Sequence, residues 1–150
     1  AMGIPFTVHA GEAAGPESVR TAIQTGTKRI GHGVRSTEDE SVVEQIRESG
    51  ITLEMCPTSN RQTHAIPDMK QYPLIPFLES GIRVTVNTDD MGIERTCLSK
   101  EFEYLRREFG LTKAQEKKLL LNAADAAFAS EETKKMLREK ILAAYENNCE

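Results

Sequence analysis

Cysteine is scarce in this 150-residue chain. The three residues, Cys56, Cys97 and Cys149, are too few and too scattered for a disulfide framework or a thiolate metal cluster. A reducing, cytoplasmic setting is the simplest reading of that scarcity. No apolar run approaches the roughly 18 residues that a membrane helix needs. The opening Ala1-Met2-Gly3-Ile4-Pro5 lacks a basic region followed by a long apolar stretch, so no signal peptide is expected. Positive charge is not in excess either. Lysine and arginine total 19 against 23 aspartate and glutamate, a formal charge of -4, which removes the electrostatic ground for nucleic-acid binding. Linkers, low-complexity stretches and short repeats are missing too, so residues 1–150 read as one compact unit or part of one.

What is present alternates. Short apolar runs at Ile4 to Val8, Arg29 to Gly33, Ile51 to Met55 and Ile82 to Val86 read as strands. Between them lie amphipathic segments. Pro16 opens the first, with Val19, Ala22 and Ile23 on one face and Gly26 at its end. Thr37 with Glu40 resembles a capping box ahead of the Val42, Val43 and Ile46 stripe. Residues 58–71 are polar, with Pro67, and read as a connecting loop; Leu74 to Leu78 make a short helix before Gly81. Strand followed by helix, four times over, argues for a parallel sheet with right-handed crossovers. Three more helices follow: one striped by Leu98, Phe102, Leu105 and Phe109, one capped by Thr112, and one capped by Ser130. The fold class is α/β, and four such units are half of an eight-stranded (β/α)8 barrel; a closed one needs roughly 250 residues. The chain therefore pairs with another polypeptide, folds as an open layer, or is a piece of a longer protein.

Each apolar run ends in polar groups: His9 and Glu12, His32, Glu54 and Asn60, Asp89 and Asp90. Parallel strands put their C-terminal ends on one rim, where active sites sit. Four separated motifs thus become one candidate site. Imidazole and carboxylate suit zinc, and the adjoining Gly11, Gly31 and Gly33 let backbone approach a ligand closely. Bland readings exist for each group: Glu12 as a helix cap, the aspartate pair as an ordinary turn, Cys56 as a packing residue, His64 as a lone polar-loop histidine. A cytidine-deaminase type of zinc site is excluded, because Pro57 follows Cys56 and no second cysteine stands three residues on.

His9-Ala10-Gly11-Glu12, Arg29-Ile30-Gly31-His32-Gly33, Glu54-Met55-Cys56-Pro57-Thr58-Ser59-Asn60 and Asn87-Thr88-Asp89-Asp90 resemble, in order, the motifs of the adenosine deaminase family. The resemblance runs from about residue 4 to the Asn122 region. It implies the C-terminal half of a metal-containing (β/α)8 barrel plus terminal helices, with the N-terminal half absent. It implies hydrolytic deamination of adenosine to inosine and ammonia through a zinc-activated water. In that resemblance His9 and Asp89 are metal ligands, Glu12 protonates purine N1, His32 orients and deprotonates the water, and Gly11 and Asp90 contact the purine. The chemistry is coherent: a bound metal supplies a nucleophile at neutral pH, a carboxylic acid beside the ring donates a proton, and histidine titrates in the range needed of the base. Two departures stand out. The family's first-strand His-x-His pair has no counterpart, so His9 and Asp89 form an incomplete zinc site, and Met91 replaces the usual proline after the aspartates. Relatives acting on adenine tend to carry aspartate where Gly31 stands, which favours the nucleoside; adenine and modified adenine nucleosides or nucleotides remain the alternatives. The partner is a small purine nucleoside, with no nucleic acid and no membrane. The competing reading is a non-catalytic half-barrel that binds itself, or the missing half, to cover its sheet edges.

Overall fold

A computed structural model describes residues 3–146; Cys149 lies outside the described residues. Four strands, β1 (Thr7–Ala10), β2 (Arg29–His32), β3 (Thr52–Met55) and β4 (Arg83–Val86), form one parallel sheet in the order β1-β2-β3-β4. The crossovers carry α1 (Pro16–Gln24), α2 (Glu40–Ser49), then α3 (Pro57–Gln62) with α4 (Leu74–Glu79). After β4 come α5 (Met91–Glu94), α6 (Leu98–Phe109), α7 (Lys113–Ala126) and α8 (Glu131–Glu146). This is half of a (β/α)8 barrel with terminal helices. Among the described residues no helix is long and apolar enough to cross a membrane.

The register separates two faces. Thr7 pairs with Arg29 and Thr52 with Arg83, while His9 pairs with Gly31 and Glu54 with Thr85. With side chains alternating along each strand, these residues share one polar face. Its centre is tied together: Glu54 accepts from Thr7 at 2.6 Å and pairs with Arg29 at 3.1 Å. The other face carries Ile30, Leu53 and Val84, all fully buried. Val19, Ala22, Val42, Ile46, Leu74, Phe77 and Leu78 of the crossover helices complete that core. Covering one apolar face and leaving a polar one is what half a barrel does, because the polar face lines the interior.

Three local readings are corrected. The first strand begins at Thr7, not Ile4, so His9 lies within the strand. Ile4 and Phe6 are exposed, and β2 offers pairing only from Arg29 onward. Thr37 sits in a 3-10 turn (Val34–Glu38), and Asp39 caps α2 by accepting from the Ser41 N–H. Residues 57–62 form α3 rather than a loop. Its buried side chains are Pro57, Thr58, Ser59 and Asn60, consecutive and mostly polar, so it shows no apolar stripe to read. By contrast α6 spans Leu98–Phe109, with Phe102 and Leu105 buried and Leu98 exposed. Thr112 and Gln115 form a reciprocal capping box at α7, and Ser130 accepts from the Thr133 N–H at α8.

Candidate active site

The strand ends converge on His32. Its Nε2 lies 3.3 Å from His9 Nδ1, 3.3 Å from Glu12 Oε2 and 3.7 Å from Asp89 Oδ2. Residues from three separate strand-loop units thus meet at one imidazole, and the single-rim expectation holds. Both His32 (φ 67°) and Asp89 (φ 59°) adopt the left-handed region, which costs a non-glycine residue of order 1 kcal/mol and clusters at functional sites. The turn is what swings His32, otherwise on the helix-covered face, over to the polar one.

Each group is held by neighbours. Ser59 donates to Asp89 Oδ2 at 2.9 Å, and Thr63 donates to Glu12 Oε1 at 3.2 Å. Asn60 meets His32 Nδ1 at 3.0 Å, and the Tyr72 hydroxyl donates to Asn60 Oδ1 at 3.2 Å. Asn60, which falls in the stretch read as a connecting loop, therefore holds the imidazole. Gly31 has no side chain because none fits: a Cβ there would lie 2.5 Å from His9 Cδ2.

Two expected substrate contacts look different in place. The Gly11 N–H donates to Ser18 Oγ at 2.8 Å and its carbonyl accepts from the Arg35 N–H at 2.9 Å. Both backbone groups are engaged within the chain, and the residue takes a tight left-handed turn (φ 67°). Asp90 Oδ1 accepts from the Gly92 and Ile93 N–H groups, each at 2.9 Å, as the cap of α5. Met91 takes the first helical position, where proline is also at home, so its presence leaves the aspartate turn formed. His64 is exposed on the turn after α3 (φ 54°) and belongs to no donor cluster among the described residues.

Burial is the main cause that pulls the His32 pKa below the ordinary histidine value; the charges of Glu12 and Asp89 oppose it and His9 adds to it. The buried pocket thus disfavours the charged form of this ring. Burial above all, then the nearby Asp89, Glu101 and Glu54, pushes the Cys56 thiol far up. Its Sγ stands with His32 and Asp89 in a donor cluster. Burial and then Asp89 raise the carboxyl of Glu94, whose Oε2 has no hydrogen-bond partner among the described residues.

Donor atoms of His9, Glu12 and His32 lie within 4.8 Å of one another, as do those of His32, Cys56 and Asp89. His9 and Asp89 also line one cleft of about 230 Å³ with Gly31, Glu54, Cys56, Asn87 and Thr88. An imidazole nitrogen and a carboxylate oxygen facing one cleft are the donors zinc takes, so these residues fit the metal as part of a ligand set. A larger groove of about 560 Å³ between α6, α7 and the end of α8 contains none of the strand-end groups. Sequence reading also missed a charged cluster: Arg61, Arg95, Lys100 and Arg107 gather with Glu94 and Glu103 around a cleft of about 310 Å³. They are 46 positions apart in sequence at most, yet only folding brings them together.

Comparison with known proteins agrees with this geometry. Residues 1–144 match the family model described as adenosine deaminase. An adenosine deaminase of Haemophilus ducreyi is 47% identical over 143 residues, covering 95% of this chain and 42% of that protein. One from Escherichia coli is 44% identical over 142 residues, covering 94% and 43%. The chain thus spans less than half the length of these relatives. Among solved structures, adenine deaminase from Arthrobacter aurescens superposes with a TM-score of 0.91 at 28% identity, over 96% of this chain and 44% of that one. The N6-methyl-AMP deaminase from Arabidopsis thaliana gives 0.85 at 28%, over 96% and 42%. An amidohydrolase from Burkholderia ambifaria, with bound Zn, gives 0.84 at 25%, over 97% and 41%. With two histidines, Glu12 and Asp89 gathered at the strand ends of a half-barrel, and a family match along nearly its whole length, this chain belongs to the adenosine deaminase family.

Proposed function

We propose that the protein carrying this chain hydrolytically deaminates adenosine to inosine and ammonia. The observation that carries the reading is the convergence of Glu12, His9 and Asp89 on His32 Nε2, within 3.3, 3.3 and 3.7 Å. Zinc held by His9 and Asp89, with further ligands from outside this chain, would supply Lewis-acid activation of the attacking water. The chain's own groups handle the protons. His32, kept neutral by burial, takes the water proton at Nε2 as the oxygen bonds to purine C6. Glu12 delivers a proton to ring N1 as charge grows there. The C6–N bond then breaks, the proton on His32 leaves with the amine as ammonia, and the C6 hydroxyl proton returns Glu12 to its acid form as the inosine carbonyl forms. Asp90, anchored through Oδ1 at α5, presents its other carboxylate oxygen to the purine.

Identity to proteins named adenosine deaminase, at 44–47%, supports the nucleoside over adenine. A second reading, a phosphorylated adenine nucleoside, is supported by the likeness to the N6-methyl-AMP deaminase at 28% identity. Turnover of adenosine against its 5′-monophosphate separates the two.

The roles are tested by paired kinetics and metal analysis. Glu12→Gln keeps shape but loses the transferable proton, and kcat falls at least about 100-fold, or roughly 3 kcal/mol. His9→Ala loses zinc together with activity. Near-parental kcat in Glu12→Gln, or full zinc in His9→Ala, overturns the assignment. A parent protein with no deaminase activity leaves the non-catalytic half-barrel as the better account.

A further inference from the structure

Glu12 follows β1 in an irregular loop, so no strand or helix fixes its side chain. Its carboxylate meets two groups among the described residues. His32 Nε2 lies 3.3 Å from Oε2, and the Thr63 hydroxyl donates to Oε1 at 3.2 Å. The two oxygens are therefore not equivalent: one faces the converging strand ends, and the other is tethered to the end of α3. The tether spans 51 positions of sequence, and a lone threonine does nothing to announce it.

Thr63 is built to hold a partner still. Ser59 and Thr63 stand four residues apart, so they share one face of α3. The Thr63 N–H donates to Ser59 O at 2.8 Å, which closes the last turn, and the Thr63 hydroxyl lies 3.0 Å from the same carbonyl. That contact restricts χ1 of a side chain already stiff from β-branching. The helix is seated on both sides of this turn. Glu101 accepts from the Thr58 N–H at 2.9 Å, and Ala65 and Ile66, just beyond Thr63, pack against the core. Ser59 donates to Asp89 Oδ2 at 2.9 Å, so one anchored helix touches both Glu12 and Asp89. A glutamate side chain has ample rotamer freedom to lose, and a misplacement of about 1 Å can cost about 100-fold in rate.

We propose that Thr63 is a positioning residue: by holding Oε1 it fixes the Glu12 carboxyl and leaves Oε2 as the oxygen turned to the substrate. The kinetic consequence rests on the deaminase reading; the placement of the carboxyl does not. The test uses the zinc-loaded protein that carries this chain. Thr63→Val replaces the hydroxyl by a methyl of like size, keeps the N–H that closes α3, and changes an exposed residue. A hydrogen bond to a charged group is worth on the order of 10- to 100-fold. The kcat of Thr63→Val therefore falls by about that factor, with KM within about twofold and zinc content unchanged. Thr63→Ser keeps the hydroxyl and recovers most of kcat. In a Glu12→Gln background the valine substitution costs less than about twofold, because residues that act as a unit do not add. Crystal structures read the placement without activity: Oε1 rests on Thr63 in the parent and leaves that position in Thr63→Val. An unchanged kcat in Thr63→Val, an equal loss in Thr63→Ser, a full further loss on top of Glu12→Gln, or a loss confined to KM or to zinc overturns the proposal. So does a Glu12 carboxyl that stays in place in Thr63→Val. Should Thr63→Val fail to fold, Thr63→Ala and Thr63→Ser carry the same comparison. A carboxyl displaced by the substitution, in a parent without deamination, supports the positioning role while defeating the functional reading.

Discussion

Gly31 and His9 form a matched pair across neighbouring strands, and the match is steric. A Cβ at residue 31 would come within 2.5 Å of His9 Cδ2 and 2.9 Å of His9 Nε2, closer than such atoms approach. The histidine ring, not the backbone, is the part able to move. Gly31→Ala should therefore fold but displace His9, weakening zinc binding about 10- to 100-fold; competition titration against a chelator measures it, and unchanged affinity would count against His9 as a ligand. His9, His32, Glu12 and Asp89 were all legible as site candidates, because rare histidines and paired carboxylates at strand ends are visible in a string of letters. Ser59 and Tyr72 were not. A serine and a tyrosine carry no distinguishing signal until the fold places one 2.9 Å from Asp89 and the other behind Asn60.

Among the elements, α3 shows why a helix can escape notice. Apart from Pro57 its buried side chains are polar, so hydrophobic periodicity is silent, and its first free N–H is satisfied from a distance. The fully buried Glu101 of α6 accepts from the Thr58 N–H at 2.9 Å and from the Thr96 hydroxyl. A carboxylate at the start of a helix also complements its dipole. Glu101→Ala strands both donors in the interior, and each orphaned group costs about 1–3 kcal/mol; urea denaturation should show the loss as a lower midpoint with little change in slope. An unchanged midpoint would mean that α3 does not depend on this anchor. The amphipathic helices α1 and α6 and the strands β2, β3 and β4, by contrast, were readable to within a residue or so of their ends, since apolar spacing drives their burial.

At the level of the molecule, the sheet has two free edges. Asn122 donates to Val84 O at 2.9 Å on the β4 side, covering part of one, while β1 borders the exposed Ile4 and Phe6. The polar face is likewise one side of an interior. A catalytic zinc usually has at least three protein ligands, and this chain offers His9 and Asp89. The 150-residue chain alone should therefore hold zinc far more weakly than a full-length relative, losing it to a mild chelator that leaves the relative loaded. Retention of stoichiometric zinc through that treatment would show that the chain completes a site by itself or by self-association.

Local order along the chain settled the strand-helix alternation, the half-barrel class and the rank of the strand-end motifs, because periodicity, caps and rare residue types act between near neighbours. Distance in space was decided only by the folded packing. The parallel register sets His9 beside Gly31, residues 22 positions apart. The left-handed turns at His32 and Asp89 aim two side chains at one point. The same packing turns Asn60 from a loop residue into the group behind an imidazole and engages the Gly11 N–H with Ser18. Those outcomes depend on contacts between segments far apart in sequence, and a buried polar group reveals its purpose only when the partner that satisfies it is in place.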